Sequence, residues 1–323
     1  MRRYNRVIIL CPANVVTGGT EALHQLCHCL IGLGQPAGIL YFSTQKNIRI
    51  IDQKITTDCT TGQAYLAFQK YKIETFFNIP IENDDIIILP EILAHLAESK
   101  ITCNKAIWWL SVDNAFDYLP SLKYLRMPQP IFQDRDIIHF YQSAYARQFL
   151  IANGVKKLHP LYDFTNLEDF YTNASNVNRI YDIALYPRKG GGLAQKYLER
   201  NPLRNYFLVE NLSKQEVAAG LSRSKLYVDF GNQPGKDRVP REAALSGAII
   251  FLHAYGAGSY FEDCPLDDSY LFTESDVITG NLNLRIELVL ENLEHNQAQQ
   301  SLYRNQILNE MEEFSLQVRK FFT

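Results

Sequence analysis

The 323-residue sequence lacks the short signatures that would settle its chemistry quickly. The six cysteines, at 11, 27, 29, 59, 103 and 264, form no Cys-x-x-Cys pair and no framework spacing. In a chain of this length they read as reduced thiols, most of them in the core, in a reducing cytosol. Gly-x-Gly-x-x-Gly is absent, which disfavours NAD bound in the usual mode, and without Gly-x-x-x-x-Gly-Lys-Ser/Thr there is no case for phosphate-loop ATP hydrolysis. No Gly-x-Ser-x-Gly elbow or nucleophilic cysteine motif is present. Charge of either sign is not in excess: the formal net charge is -3, so no global field recommends nucleic acid or an anionic membrane.

Long apolar runs are missing too. The start, MRRYNRVIILCP, is basic and then apolar, but Val7–Cys11 is too short for the hydrophobic region of a signal peptide. Ala22–Gln45 carries no Asp, Glu, Lys or Arg, yet it holds two His, three Gln, Pro36, Gly32 and Gly34. A helix, a turn and a buried strand fit it better than a membrane span. The chain is therefore expected to be soluble and cytoplasmic.

What is present is alternation. Arg6–Pro12, Ala37–Phe42, Asp85–Pro90, Ala106–Val112 and Ile137–Gln142 are apolar runs of strand length. Glu21–Leu33 and Ser143–Asn153 have helical spacing. A polar stretch, Thr165–Asn178, lacks core periodicity and reads as a linker. Alternation then restarts with strands at Ile180–Tyr186, Tyr206–Val209, Leu226–Phe230 and Ala248–Leu252, and helices at Gly192–Glu199, Lys214–Leu221 and from Pro240. The tail from Leu284 is helical. With 46% hydrophobic residues the length suits two cores. The expectation is an α/β protein of two Rossmann-like domains facing each other across a cleft, with a first domain at 1–164, a linker at 165–179 and a second domain at 180–323. Ligands of such sheets gather at the carboxyl ends of strands, so the loops after strands are where chemistry is sought.

Three such loops stand out. Ala13–Thr20 places Gly18-Gly19 before a helix, where a backbone can approach a phosphate or a sugar hydroxyl; a plain turn is the bland alternative. Tyr186–Gly192, YPRKGGG, sets Arg188 and Lys189 in a flexible glycine run that suits a diphosphate. Asp229–Glu242, DFGNQPGKDRVPRE, carries Lys236, Asp237 and Arg238 in a loop that opens a helix near Pro240. Lys236 and Arg238 suit a diphosphate leaving group, and Glu242 can accept two hydroxyl bonds from a ribose. Complementing the helix dipole would account for Glu242 alone, but not for the whole loop.

This third loop resembles the donor-binding motif of retaining glycosyltransferases of the two-Rossmann (GT-B) class, particularly those similar to family 4. That motif has Glu-x7-Glu in a setting like E-G-F-G-L-P-x-x-E-A-x-x-x-G. Glu242-Ala-Ala-Leu-Ser-Gly247 is similar to its second half, Gly18-Gly19-Thr-Glu to the family's N-terminal glycine loop, and Arg188-Lys189-Gly190 to its diphosphate-contacting pair. The sequence departs from the motif at one point: eight residues before Glu242 stands Pro234. The glutamate that contacts the transferred sugar is thus missing, or replaced by a neighbour such as Asp229 or Asp237.

The resemblance implies a sugar transfer from a nucleotide-sugar, retaining and without a metal or other cofactor, to a glycan or lipid-linked glycan acceptor in bacterial surface polysaccharide assembly. Peripheral membrane contact is compatible with it. Donor nucleotide contacts are expected from Gly18, Gly19, Arg188, Lys189, Lys236, Asp237, Arg238 and Glu242. Catalytic roles fall to Lys236 and Arg238, and to Asp113 in WWLSVDN, a base if the transfer inverts. Asp113 is equally explained as a helix cap beside two core tryptophans. A sugar-nucleotide epimerase and a non-catalytic sugar-nucleotide-binding subunit are the alternatives. Asp134-Arg-Asp136 matches a metal-binding Asp-x-Asp but precedes a strand. His24, Cys27 and His28 share a helical face without a fourth zinc ligand, so packing is the better reading. Aromatic residues are not interleaved with a basic stripe, which argues against nucleic acid.

Overall fold

The computed structural model describes residues 4–118, 130–170 and 177–323. The chain divides into two units, Met1–Asp163 with Met311–Thr323, and Phe164–Glu310.

In the first unit the strands are β1 (Val7–Pro12), β2 (Ala37–Phe42), β3 (Arg49–Ile51), β4 (Lys54–Thr56), β5 (Thr75–Phe76), β6 (Ile79–Pro80), β7 (Ile86–Pro90), β8 (Asn104–Trp109), β9 (Ile137–Tyr141) and β10 (Leu158–Pro160). Seven of them form one parallel sheet in the order β10-β9-β8-β7-β1-β2-β5, and β3, β4 and β6 make a small antiparallel sheet. The apolar runs become central strands because both of their faces are covered. Trp108 and Trp109 are successive residues, so their side chains leave β8 on opposite faces, and both are fully buried. Each indole is satisfied: Trp108 Nε1 donates to the Leu161 carbonyl at 2.8 Å and Trp109 Nε1 to His139 Nδ1 at 3.0 Å. That bond leaves the His139 proton on Nε2, which faces the Ile131 carbonyl at 3.1 Å. Burial pulls the His139 pKa down to about 4. Strand order reverses at β1, which has β2 on one side and β7 on the other.

The second unit holds β11 (Tyr181–Leu185), β12 (Tyr206–Leu208), β13 (Ser224–Asp229), β14 (Ile249–His253) and β15 (Leu271–Phe272), all parallel, in the order β12-β11-β13-β14-β15. Its crossovers include the helices Leu193–Arg200, Lys214–Ser222 and Arg238–Leu245. Ser213 and Glu216 close a capping box on the second of these, which satisfies orphan backbone donors at its start. Phe230 lies between Tyr197 and Phe272, with ring centroids 5.4 and 5.2 Å away. Strand order reverses between β11 and β13, so the crevice expected to gather ligands opens at their carboxyl ends.

Two parts of the chain differ from the expected division. The tail does not stay with the second unit. The helix Ser301–Phe322 ends in the first, where Phe321 and Phe322 are buried. The Phe321 ring lies 4.7 Å from Phe140, and Phe322 lies 6.1 Å from Tyr4. Burial of two phenylalanines supplies the driving force, about 1.5–3 kcal/mol for each. The stretch read as a linker also contributes to a core: Phe170 packs in the hydrophobic cluster of the second unit. Residues 171–176 of that stretch lie outside the described residues. Among the described residues, no helix is long and apolar enough to cross a membrane.

Candidate functional site

In the second unit the loops after β11 and β13 meet at the point where strand order reverses. Gly190, Gly191 and Gly192 all have positive φ, at 74°, 58° and 95°, a conformation that side-chain-bearing residues resist. Gly190 also lies against the other loop: a Cβ there would stand 2.1 Å from the Phe230 carbonyl oxygen. This close approach delivers Lys189 to the end of β13, 40 residues away in sequence. Its ammonium donates to Asp229 Oδ2 at 3.0 Å and to Asp237 Oδ2 at 2.6 Å. Burial would lower the lysine pKa, but the two carboxylates outweigh it and raise the value.

Asp229 is spent on this framework. Its carboxylate is fully buried and also accepts Tyr227 Oη at 2.9 Å and the Gly231 N–H at 2.7 Å. Burial drives the Tyr227 pKa well up, and the charges of Asp229, Asp237 and Glu242 reinforce that shift. Three carboxylates therefore act on one phenol, and two of them hold the lysine. Asp237 precedes the helix Arg238–Leu245, but its side chain does not cap it, because Lys189 holds the carboxylate. Arg238 opens this helix and Glu242 is half-buried in its second turn. Arg188 is an exposed residue whose guanidinium pairs with Glu210.

Lys236 takes a position that the sequence did not suggest. Its side chain is 5% exposed and its ammonium lies 3.3 Å from Glu310 Oε1. Arg241, buried beside it, donates to Glu310 Oε2 at 2.8 Å and to the Lys236 carbonyl at 2.7 Å. The Thr165 N–H meets the same carboxylate at 3.1 Å. Lys236 is thus built into a buried ionic cluster and is not a solvent-facing clamp on the loop. The reason lies 74 residues downstream in Glu310, where no local pattern reveals it.

The remaining candidates lie in the first unit. Gly18 and Gly19 do not form a loop before the helix. They are its first residues, behind a Thr17–Thr20 capping box. Neither glycine has positive φ, and a Cβ on Gly19 would meet only ordinary contacts, Leu110 Cδ1 at 3.8 Å being the nearest. Asp113 lies in the first turn of the helix Val112–Tyr118. It accepts Tyr145 Oη at 2.8 Å, and burial raises its pKa against that bond.

Sequence reasoning passed over Glu91, at the carboxyl end of β7. It is 4% exposed and accepts the Leu110 N–H at 3.3 Å. Burial lifts its pKa to about 7, opposed by hydrogen bonds from the backbone and from Asn114. Its signal was an acidic residue placed directly after the buried run DIIILP.

The discounted constellations are engaged otherwise. His24 bonds the Thr20 carbonyl and Tyr41 Oη, each at 2.6 Å, and His28 bonds the Tyr71 carbonyl at 2.6 Å. Asp134 accepts the Asp136 N–H within one turn. Among the described residues, no group of three or more His, Cys, Asp or Glu is placed to hold a metal ion.

No protein-family model matches the chain, and no curated protein matches it. Solved structures do. HepE of Anabaena in complex with UDP-glucose superposes with a TM-score of 0.71 at 11% identity, covering 98% of each chain. Sucrose-phosphate synthase of Thermosynechococcus elongatus gives 0.63 at 13% identity, again over 98% of both. A glycosyltransferase of Rickettsia africae gives 0.61 at 12% identity, over 98% of this chain and 96% of the other. With two Rossmann-like parallel sheets and this likeness along nearly its whole length, the chain has the GT-B fold of glycosyltransferases.

Proposed function

We propose that this protein is a glycosyltransferase that takes a sugar from a nucleotide-sugar donor and transfers it to a glycan or lipid-linked glycan, with retention and without a metal, in the assembly of bacterial surface polysaccharide. The observation that carries the reading is the meeting of the loops after β11 and β13, where Lys189 joins Asp229 and Asp237 under the first turn of the helix Arg238–Leu245. A helix start at a reversal of strand order suits a diphosphate. Arg238 in that first turn is the cation assigned to the leaving group, with Arg188 and Lys189 nearby in the glycine loop. Glu242 is assigned to the ribose hydroxyls and Asp113 to the acceptor. Lys236 acts on the loop from within, by holding it to Glu310. HepE, which binds UDP-glucose, supports a uridine donor. Work in the cytoplasm accords with such a donor.

A thermal-shift screen of UDP-, GDP-, TDP- and CMP-sugars tests the donor assignment, because a ligand bound to the native state raises apparent stability by mass action. One of them is expected to shift the transition, and no shift with any of them refutes the assignment. Binding without turnover, with or without acceptors, would instead favour a non-catalytic binding subunit, for which the absent first glutamate at Pro234 argues. Solvent isotope washed into the donor sugar would identify an epimerase.

A further inference from the structure

We propose that Gln233 and His253 recognise the sugar ring of the donor, supplying the contacts that the glutamate missing at Pro234 would otherwise make. The inference rests on the donor assignment above and goes beyond it to the residues that choose the sugar.

Gln233 is 2% exposed, and its amide nitrogen is buried without a hydrogen-bond partner. Its backbone is left-handed, with φ 46°, a conformation that persists in a residue with a side chain only where the surroundings impose it. Here the loop after β14 imposes it. The Gln233 carbonyl accepts the Ala257 N–H at 2.8 Å. Gly256 lies so close that a Cβ would stand 2.1 Å from that same carbonyl oxygen and 2.5 Å from that of Asn232. A Cβ on Gly258 would come within 2.8 Å of the His253 carbonyl and 3.1 Å of Gln233 Cγ. The loops after β13 and β14 therefore interlock, and the Gln233 side chain lies beside the end of β14.

At that end His253 Nδ1 is also buried without a partner. Its ring stacks on Tyr255, centroids 6.0 Å apart and nearly parallel, so imidazole rotation is restrained. Folded proteins leave few buried polar groups unpaired, and each one calls for an explanation. Two of them at the carboxyl edge of the sheet, on loops that interlock through Gly256 and Gly258, lie where ligands of this fold gather and are explained by a ligand. The nearby carboxylates are committed: Asp229 and Asp237 hold Lys189. What the pair offers is hydrogen-bonding capacity. An amide that turns to present either N–H or C=O, beside an imidazole nitrogen, matches sugar hydroxyls, which both donate and accept.

The test measures the affinities of UDP-glucose and UDP, and in parallel of GDP-mannose and GDP, by titration calorimetry on the full chain. Three variants are compared with wild type. Gln233→Gly removes the amide and suits the left-handed backbone, Gln233→Leu keeps bulk without polarity, and His253→Phe keeps the stacked ring without its nitrogens. In wild type the nucleotide-sugar is expected to bind more tightly than its nucleotide. Each variant is expected to reduce that preference about three- to tenfold, the scale of one hydrogen bond, while affinity for the nucleotide itself moves less than about twofold. Circular dichroism identifies any variant that fails to fold, and the remaining ones decide. A preference unchanged in Gln233→Gly and His253→Phe, or no preference in wild type, overturns the proposal and leaves the donor assignment standing. If wild type binds none of the four probes, the donor assignment falls first and this proposal with it.

Discussion

Replacing Glu310 by Gln is the sharpest probe of the second unit. The carboxylate is shared by Lys236 at 3.3 Å and Arg241 at 2.8 Å, with side-chain exposures of 5% and 1%. At these separations and an effective dielectric of about 20, each attraction is roughly 5–6 kcal/mol before desolvation. Glutamine keeps the shape and loses the charge. The two cations would stay buried without it, and breaking such a pair typically costs about 3–5 kcal/mol net. For a unit of this size that corresponds to a fall in Tm of roughly 10 °C. Hydrogen–deuterium exchange on peptides covering β13, the loop to Lys236 and the helix Arg238–Leu245 reads the loss locally. Protection there should drop by several orders of magnitude in rate, while peptides from β1 and β7 keep theirs. The comparison variant is Arg238→Ala, which should weaken nucleotide binding with stability nearly unchanged. If Glu310→Gln is within about 1 kcal/mol of wild type and Lys236→Ala abolishes nucleotide binding in a stable protein, Lys236 serves the ligand and the structural reading is wrong.

Further outcomes are expected elsewhere. Gly190→Ala places a methyl 2.1 Å from the Phe230 carbonyl at a φ of 74°, so it should cost more than the ~1–2 kcal/mol of left-handed strain alone; wild-type urea unfolding would contradict the close approach. Lys189→Met leaves Asp229 buried without its cation and should cost about 3 kcal/mol at neutral pH. In wild type, the contribution of a lysine whose pKa is raised should be full below its ordinary value of 10.5 and fade above it; unfolding midpoints measured across pH check both statements. Glu91 has its pKa lifted from 4.5 to about 7, so between these values the folded chain holds a proton that the unfolded chain has lost. Stability should fall by roughly 3 kcal/mol as pH rises through that window and then level off. Glu91→Gln should lack the slope, and parallel pH curves for the two proteins would refute the assignment.

The alternation of strands and helices was legible because each central strand is a continuous apolar run and each long crossover has helical spacing, as β7 and the helix Lys214–Ser222 show. The strands that went unread, β3 to β6, β10 and β15, span two or three residues each, too few for a period to emerge. The loops after β11 and β13 were found for a physical reason: glycine, proline and charge interrupt apolar strands there. Partners distant in sequence were not legible. Nothing near Lys236 announces Glu310, and nothing near Lys189 announces that its charge goes to Asp229 and Asp237. Phe170, Phe321 and Phe322 sit in polar or charged surroundings in the sequence, and only the packing of their rings identifies their cores.

The tandem tryptophans of β8 give the molecule a built-in optical division. The chain has no others, and both are fully buried in the first unit, one bonded to a carbonyl and one to the His139 ring. Tryptophan emission therefore follows the melting of one sheet and is blind to the other, whose chromophores are tyrosines such as Tyr197, Tyr227 and Tyr303. Excitation at the red edge of the spectrum and backbone ellipticity, recorded on the same sample, should trace separate curves wherever the two units part company. A nucleotide that steadies the second unit would move one curve and leave the other in place, with no label attached to the protein.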